Sequence, residues 1–378
     1  MRRGRPFDST TDMRTILVTG AAGFIGYHVA MRLLERGDAV VGVDNLNTYY
    51  DPSLKRARLA RLLAHPAFTF TRGDICDALP LRALVERHRP AAVIHLAAQA
   101  GVRYSLEHPD VYGSTNLVGT LNVLEACRHA EIGHLVFASS SSVYGANTTT
   151  PFDVTHRADH PLSLYAATKK AGELLAHSYA HLFRVPITAL RFFTVYGPYG
   201  RPDMALFTFT RAILAGTPIP LFNAGEMSRD FTYVEDLSDA IARIVDRPAQ
   251  PDPSWDATSP SPESSSAPFR VYNLGSDRPV PLLHLVALLE RHLGKRAIIE
   301  SLPMQPGDVP ATWADLRITE RELGVRPTTT IDEGVRRFVE WYRGYYQPSA
   351  SAERPARTRA RAKAHSGTRS ETMPHAVT

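Results

Sequence analysis

Tyr165 and Lys169 stand four residues apart in a stretch whose apolar spacing reads as a helix to about Leu182. On a helix, side chains at that spacing share a face, with β-carbons roughly 5–6 Å apart. A phenol with a pKa of about 10 is a poor base at neutral pH. An ammonium beside it favours the phenolate, and a cationic ring placed there would add to the effect. The chemistry within reach of such a pair is removal of a proton from an alcohol. Tyr and Lys at this spacing are also common on solvated helix faces, so the pair gains its meaning from other segments. One is a serine run, Ser139 to Ser142, which follows the apolar run His134–Ala138. Its hydroxyls should emerge at the carboxyl edge of a strand, where open α/β sheets bind ligands. Ser141 and Ser142 could equally cap the turn.

The elements that must position these groups alternate in type. Arg14–Thr19 is a short apolar β run, followed by Gly20-Ala-Ala-Gly23-Phe-Ile-Gly26 and an amphipathic segment to about Arg36. Strand, glycine-spaced turn and helix in that order place a pyrophosphate on a helix N-terminus, because glycines let backbone N–H groups approach the phosphates. Val40–Val43 reads as a second strand closed by Asp44, 18 residues past Gly26. A carboxylate there accepts hydrogen bonds from adenosine ribose hydroxyls and repels a 2′-phosphate, which favours NAD over NADP. Asp74, after the run Phe68–Phe70, is placed to meet the adenine amino group. Leu96, Ala97 and Ala98 supply small side chains where the cofactor would cross the sheet edge. Further strands are expected at 92–96, 134–138 and 187–191, and helices at 54–63, 79–88 and 111–130. This alternation implies an α/β fold of Rossmann type, a doubly wound parallel sheet covered on both faces.

Beyond Tyr196 the composition turns to Gly, Pro and aromatics with shorter elements, which reads as a smaller C-terminal α/β substrate lobe. The division expected is a leader at 1–12, a dinucleotide domain at 13–196 with later segments threading back, a mainly substrate-binding lobe at 197–346, and a basic disordered tail at 347–378. Leu282–Leu293 and Ile331–Tyr345 are its clearest helices, and 248–268 is a Pro/Ser-rich loop.

The chain has 378 residues and 44% hydrophobic content, with a formal charge of +5. That charge sits in the termini. Residues 349–378 hold six Lys/Arg against two acids, and residues 1–14 hold four Arg against two Asp, so the body is near neutral. A basic nucleic-acid-binding face is therefore not expected. No apolar run approaches the ~20 residues that span a bilayer, and the basic start lacks a signal-peptide core. Cys76 and Cys127 have no metal-ligand spacing and read as buried free thiols, which fits a reducing cytoplasm.

Taken together the motifs resemble the extended short-chain dehydrogenase/reductases of the nucleotide-sugar epimerase type, and most closely the bacterial UDP-glucuronate 4-epimerases. The resemblance spans about residues 14–346. It includes the glycine turn, Asp44-Asn-Leu-Asn47 with Tyr49-Tyr-Asp51, Ala97–Ser105, Ser163–Lys170, Arg191–Pro198 with Gly200–Ala205, Arg229–Tyr233 and Met304–Val309. It implies Tyr165 as the base, Lys169 as the residue that binds ribose and lowers the tyrosine pKa, and Ser140 as the partner of the reacting hydroxyl. It implies a cofactor site of Gly20, Gly23, Phe24, Ile25, Gly26, Asp44, Asn45, Asn47, Asp74, Ile75, Leu96, Ala97, Ala98, Tyr165 and Lys169. Arg229 would bind the diphosphate and Asp308 the nucleoside. Ser141, Ser142 and Thr194 would grip a sugar carboxylate, with Arg201 organising them.

The chemistry implied is NAD-dependent epimerisation at the 4-position of a UDP-hexuronate through a 4-keto sugar, with NAD tightly bound and not consumed and no metal. Dehydratases of this fold carry Asp-Glu after the hydroxyl residue, and UDP-glucuronate decarboxylases a glutamate before Val-Tyr-Gly. Here those positions are Ser141 and Ser142. Gln305 stands where UDP-galactose epimerases have arginine, which removes one phosphate cation, and Tyr199 stands where glucuronate epimerases often have tryptophan. A 4-epimerase of a neutral UDP-hexose and a non-catalytic NAD-binding regulator are the alternatives. A homodimer through helices near 111–130 and 163–182 is also implied.

Overall fold

The computed structural model describes residues 13–304 and 308–347. The expected leader, Gln305 and nearly all of the basic tail lie outside the described residues. In chain order the first half runs β1 (Thr15–Thr19), α1 (Phe24–Glu35), β2 (Ala39–Asp44), α2 (Pro52–Leu63), β3 (Phe68–Arg72), α3 (Ala78–His88), β4 (Ala92–His95), the short α4 (Tyr104–Glu107) and α5 (Pro109–Tyr112), a π-helical stretch (Gly113–Gly119), α6 (Thr120–His129), β5 (Leu135–Ser140), α7 (Leu164–Phe183) and β6 (Ile187–Phe192). The second half runs β7 (Thr194–Tyr196), α8 (Ala205–Ala215), β8 (Pro218–Phe222), β9 (Ser228–Tyr233), α9 (Val234–Ile244), β10 (Phe269–Leu274), β11 (Pro279–Pro281), α10 (Leu282–Leu293), β12 (Ile298–Leu302), α11 (Arg317–Leu323) and α12 (Ile331–Tyr346).

Seven strands form one parallel sheet in the order β10-β6-β5-β4-β1-β2-β3. The strands are apolar on both faces because helices cover both. Along β1, Ile16 and Val18 enter the core with α1, α2 and α9, whereas Leu17 enters the core with α3, α6 and α7. That alternation is the two-residue period of a strand divided between two helix layers. The strand order reverses between β1 and β4, which opens the crevice at their carboxyl ends. A smaller lobe holds a three-stranded sheet (β11-β9-β7) and a two-stranded sheet (β12-β8), packed with α8, α10 and α12 around Phe207, Leu285, Leu289 and Phe338. β10 returns from that half of the chain to pair with β6, and α9 packs beneath α1.

The single helix expected over 111–130 is interrupted. The π-helical stretch widens the backbone so that Asn116, 3% exposed, turns inward. Its amide accepts from the Gln99 N–H at 2.8 Å and donates to the Gln99 carbonyl at 3.0 Å and to Thr168 at 3.1 Å. A polar side chain bound on three sides outweighs the regular ladder there, as inserted turns near functional sites often do. Cys127 is buried, but Cys76 is only half-buried. It lies in the turn after β3, where its N–H donates to Asp74 at 2.9 Å and its thiol donates to the Ser114 carbonyl at 3.5 Å.

Behind the serine run lies a buried charge network. Arg191 (0% exposed) on β6 grips Glu173 on α7 with two bonds of 2.9 and 3.0 Å, and Ser139 donates to the same carboxylate at 2.7 Å. The arginine lies over the Tyr144 ring at 4.8 Å, and Tyr144 donates to Asn273 of β10 at 2.7 Å. Arg191 holds the Glu173 carboxyl well below the ordinary carboxylate range despite burial. Such a carboxylate contributes stability above its unfolded pKa and loses it as pH falls toward the folded value. Removing one partner of a buried pair leaves the other uncompensated, at about 3–5 kcal/mol. Glu173→Gln should therefore lower the urea-derived unfolding free energy by about 3 kcal/mol at pH 7, and the gap should shrink as pH drops below about 4.5. Equal stability of variant and parent at pH 7 would show that the pair is not compensated as described.

Candidate active site

The glycine turn closes on itself before α1 begins. Gly20 has φ +72° and its N–H donates to the Val43 carbonyl at 2.7 Å, and Gly23 N–H donates to the Gly20 carbonyl at 2.9 Å. A β-carbon at Gly26 would run into that same Gly20 carbonyl, so α1 can sit this close only with glycine there. No acidic side chain occupies the first turn of α1, and Phe24 and Ile25 present backbone N–H groups at its positive end. Asp44, 8% exposed, accepts from Ala22 N–H at 3.1 Å and from Leu46 N–H at 2.8 Å, which fixes its carboxylate beside the turn. Asn45 donates to Asp74 at 2.8 Å. Leu96 to Ala98 cross the carboxyl end of β4, with the Ala97 N–H held by Thr19 at 3.1 Å. An N-terminal cradle, a fixed acceptor at the second strand and a floor of small side chains fit a dinucleotide such as NAD.

Tyr165 lies in the first turn of α7, which Ser163 caps by accepting from Ala166 N–H at 3.1 Å. One turn on, Lys169 is 5% exposed and donates to the Ala138 carbonyl at 2.8 Å, the last apolar residue before the serines. Ser140 accepts from the N–H and the hydroxyl of Ser142 at 3.2 and 2.9 Å, and it favours the ionised form of the Tyr165 phenol. Burial pushes the Tyr165 phenol up, and Ser140 and the charge of Arg201 pull it back. The ammonium of Lys169 faces the Ala138 carbonyl, and burial lowers its pKa to about 8. With the chain's own groups alone, the phenol keeps its proton at neutral pH.

Across the crevice, Ser141 and Ser142 form the turn after β5, and Thr194 opens β7. Arg201 is clasped by Asp203, whose carboxylate also accepts from Tyr49 at 3.1 Å. Arg229 on β9 donates to the carbonyls of Ser228 and Pro310 at 2.9 and 3.2 Å, and burial lowers its pKa. Asp308 meets Arg103 at 3.3 Å. Every residue expected at the site, from Gly20 through Ile75 and Ser140 to Asp308, lines one cavity of about 950 Å³.

Four residues at or beside this cavity were missed. Asn116 shows its role only through the π turn. Lys55, 6% exposed, donates to Asn47 at 2.7 Å, and its place on a basic helix hid it. Asp203 sits inside the Gly200–Ala205 motif, where nothing local shows that it will clasp Arg201. Arg103 sits inside the Ala97–Ser105 motif, and only its distance to Asp308 marks it as a cation of the cavity rim. Among the described residues no helix is long and apolar enough to cross a membrane.

Comparison with known proteins agrees with this geometry. Residues 16–257 match the model of the NAD dependent epimerase/dehydratase family. The chain is 51% identical to protein CapI of Staphylococcus aureus over 332 residues, which covers 88% of this chain and 99% of CapI. It is 47% identical to UDP-glucuronate 4-epimerase 4 of Arabidopsis thaliana over 349 residues, covering 91% and 78%. Among solved structures it superposes on a UDP-glucuronic acid 4-epimerase from Bacillus cereus, in complex with UDP-glucuronic acid and NAD, with a TM-score of 0.78 and 33% identity over 88% of this chain and all of that one.

Proposed function

The chain belongs to the NAD dependent epimerase/dehydratase family, and from that premise we propose that it interconverts UDP-glucuronate and UDP-galacturonate by inverting carbon 4. The family name covers eliminations as well as epimerisations. The observation that carries the choice is the pair Ser141 and Ser142 at the sugar end of the cavity, where a dehydratase or decarboxylase needs a carboxylate.

NAD, when bound, supplies the acceptor that takes a hydride from carbon 4 and returns it to the opposite face, together with a positive ring charge near the phenol. Tyr165 removes the proton of the 4-hydroxyl and later returns it. Ser140 holds that hydroxyl in line by accepting or donating as the proton moves. Lys169 fixes α7 to β5, so the phenol stays over the serine turn, and its charge supports the phenolate at that moment. The intermediate is a β-keto acid, which loses carbon dioxide when the carboxylate bond aligns with the ketone π system. Ser141, Ser142 and Thr194 hold the carboxylate out of that alignment, with Arg201 supplying a charge-assisted donor. Arg229 and Asp308 hold the diphosphate and nucleoside, and Arg103 adds a cation that Gln305 does not provide. A neutral hexose would leave the hydroxyls of Ser141, Ser142 and Thr194 without the carboxylate they are placed to bind, which is why the uronate is favoured.

The active unit is a homodimer. Val118 and Leu121, and Leu174, Leu182 and Phe183 on α7, are apolar and 39–67% exposed, and they suit a helix bundle between two copies. Light scattering at micromolar concentration should give twice the chain mass, and a monomer at all concentrations would reject this assembly.

Purified protein given UDP-glucuronate should form UDP-galacturonate, followed by the anomeric protons in NMR spectra, with UDP-glucose turned over at least tenfold more slowly in competition. Tyr165→Phe should lower kcat by about 10²–10⁴ with KM little changed. Accumulation of a UDP-pentose, or full activity of the Phe variant, would overturn the assignment. A non-catalytic NAD-binding regulator predicts instead that the parent protein gives no turnover of UDP-glucuronate.

A further inference from the structure

Arg58 on α2 has 0% exposure, and the reaction proposed above does not use it. Its guanidinium is bound by uncharged oxygens. Nη1 donates to the Ala22 carbonyl at 3.1 Å and to the Tyr50 hydroxyl at 2.6 Å. Nη2 donates to the Tyr199 carbonyl at 2.6 Å and to the Gly200 carbonyl at 3.3 Å, and Nε donates to the Tyr199 carbonyl at 3.1 Å. No carboxylate among the described residues forms an ion pair with it. A buried cation without a counter-charge is costly, and a neutral side chain of the same volume would fill the space without that cost.

The carbonyls it grips come from two places. Ala22 lies inside the Gly20–Gly26 turn, whose opposite side is held by Asp44 through the Ala22 N–H. Tyr199 and Gly200 directly precede Arg201. Tyr199 has φ +56°, a left-handed conformation that a tyrosine keeps only when its surroundings hold it. A second strut runs beside the first, because Tyr50 adjoins Tyr49, whose hydroxyl donates to the Asp203 carboxylate that clasps Arg201.

We propose that Arg58 is a positioning residue that couples the two halves of the site, fixing the pyrophosphate turn and the Tyr199–Arg201 loop in one geometry with a single planar fork. Its unneutralised charge also favours an anion at that turn. Lysine cannot reproduce this role, since a point charge on a flexible stem cannot meet carbonyls from both segments at once. The inference rests on the reading of the cavity as a site for NAD and a UDP-uronate.

The test uses full-length Arg58→Lys and Arg58→Met, freed of bound nucleotide, with melting temperatures compared to the parent. NAD is titrated by quenching of tryptophan fluorescence. Affinity for UDP-glucuronate at saturating NAD is then read both as KM and as a calorimetric Kd. The expected result for Arg58→Lys is an NAD Kd raised at least tenfold and a UDP-glucuronate KM and Kd raised at least fivefold, with kcat lowered less than threefold. Asp44→Asn should move only the NAD value. If Arg58→Met does not fold, the Lys variant, which keeps the charge, carries the test. NAD and UDP-glucuronate affinities both within twofold of the parent, or one moved without the other, would overturn the coupling. A parent that binds UDP-glucuronate without converting it would defeat the functional reading instead, and the two affinities would still judge Arg58.

Discussion

The ammonium of Lys169 donates to the Ala138 carbonyl at 2.8 Å, at the point where β5 gives way to the serine turn. That contact joins the helix carrying Tyr165 to the strand that delivers Ser140, and both residues line the cavity. A lysine buried this deeply loses hydration, which is why its pKa falls to about 8. The surrounding polar groups keep the geometry fixed. Glu173, one turn further along α7, is locked to Arg191 on β6 and to Ser139, so the helix cannot slide along the sheet without breaking a buried ion pair. Asn116 holds the other side of α7 through Thr168 and ties it to the loop after β4.

Charge, more than shape, decides what such a cavity can do. In the free chain the phenol of Tyr165 is pushed up by burial, so the proposed base holds its proton there. Arg201 pulls in the opposite direction, and Asp203 and Tyr49 hold that arginine in place. The same arginine that would organise a sugar carboxylate thus also bears on the acidity of the proposed base. On the proposed reading, substrate recognition and proton transfer share one cation.

The doubly wound sheet was legible because its strands are short apolar runs punctuated by helices of ordinary length. α10 matches its expected bounds residue for residue, with Pro281 before it and Gly294 after it as plain start and stop signals. The long helix over 111–130 was misjudged because apolar periodicity carries on through the π turn, and nothing local announces that Asn116 will find partners on two other segments. The residues that line the cavity were legible as a set because they lie in local motifs. Lys55, Arg58 and Arg103 were not, because each matters through a contact with a distant part of the chain, and a basic helix looks the same in sequence whether its arginines are solvated or buried.

On the proposed reading, carbon 4 is oxidised and reduced within one closed cycle, with the proton carried by Tyr165 and no chemistry at carbon 5. UDP-glucuronate labelled with deuterium at carbon 4, turned over by the purified protein in ordinary water, tests it most directly. The product UDP-galacturonate should keep the deuterium at carbon 4, and a parallel reaction of unlabelled substrate in heavy water should place none at carbon 4 or carbon 5. Loss of the label to solvent, or solvent deuterium appearing at either carbon, would contradict it.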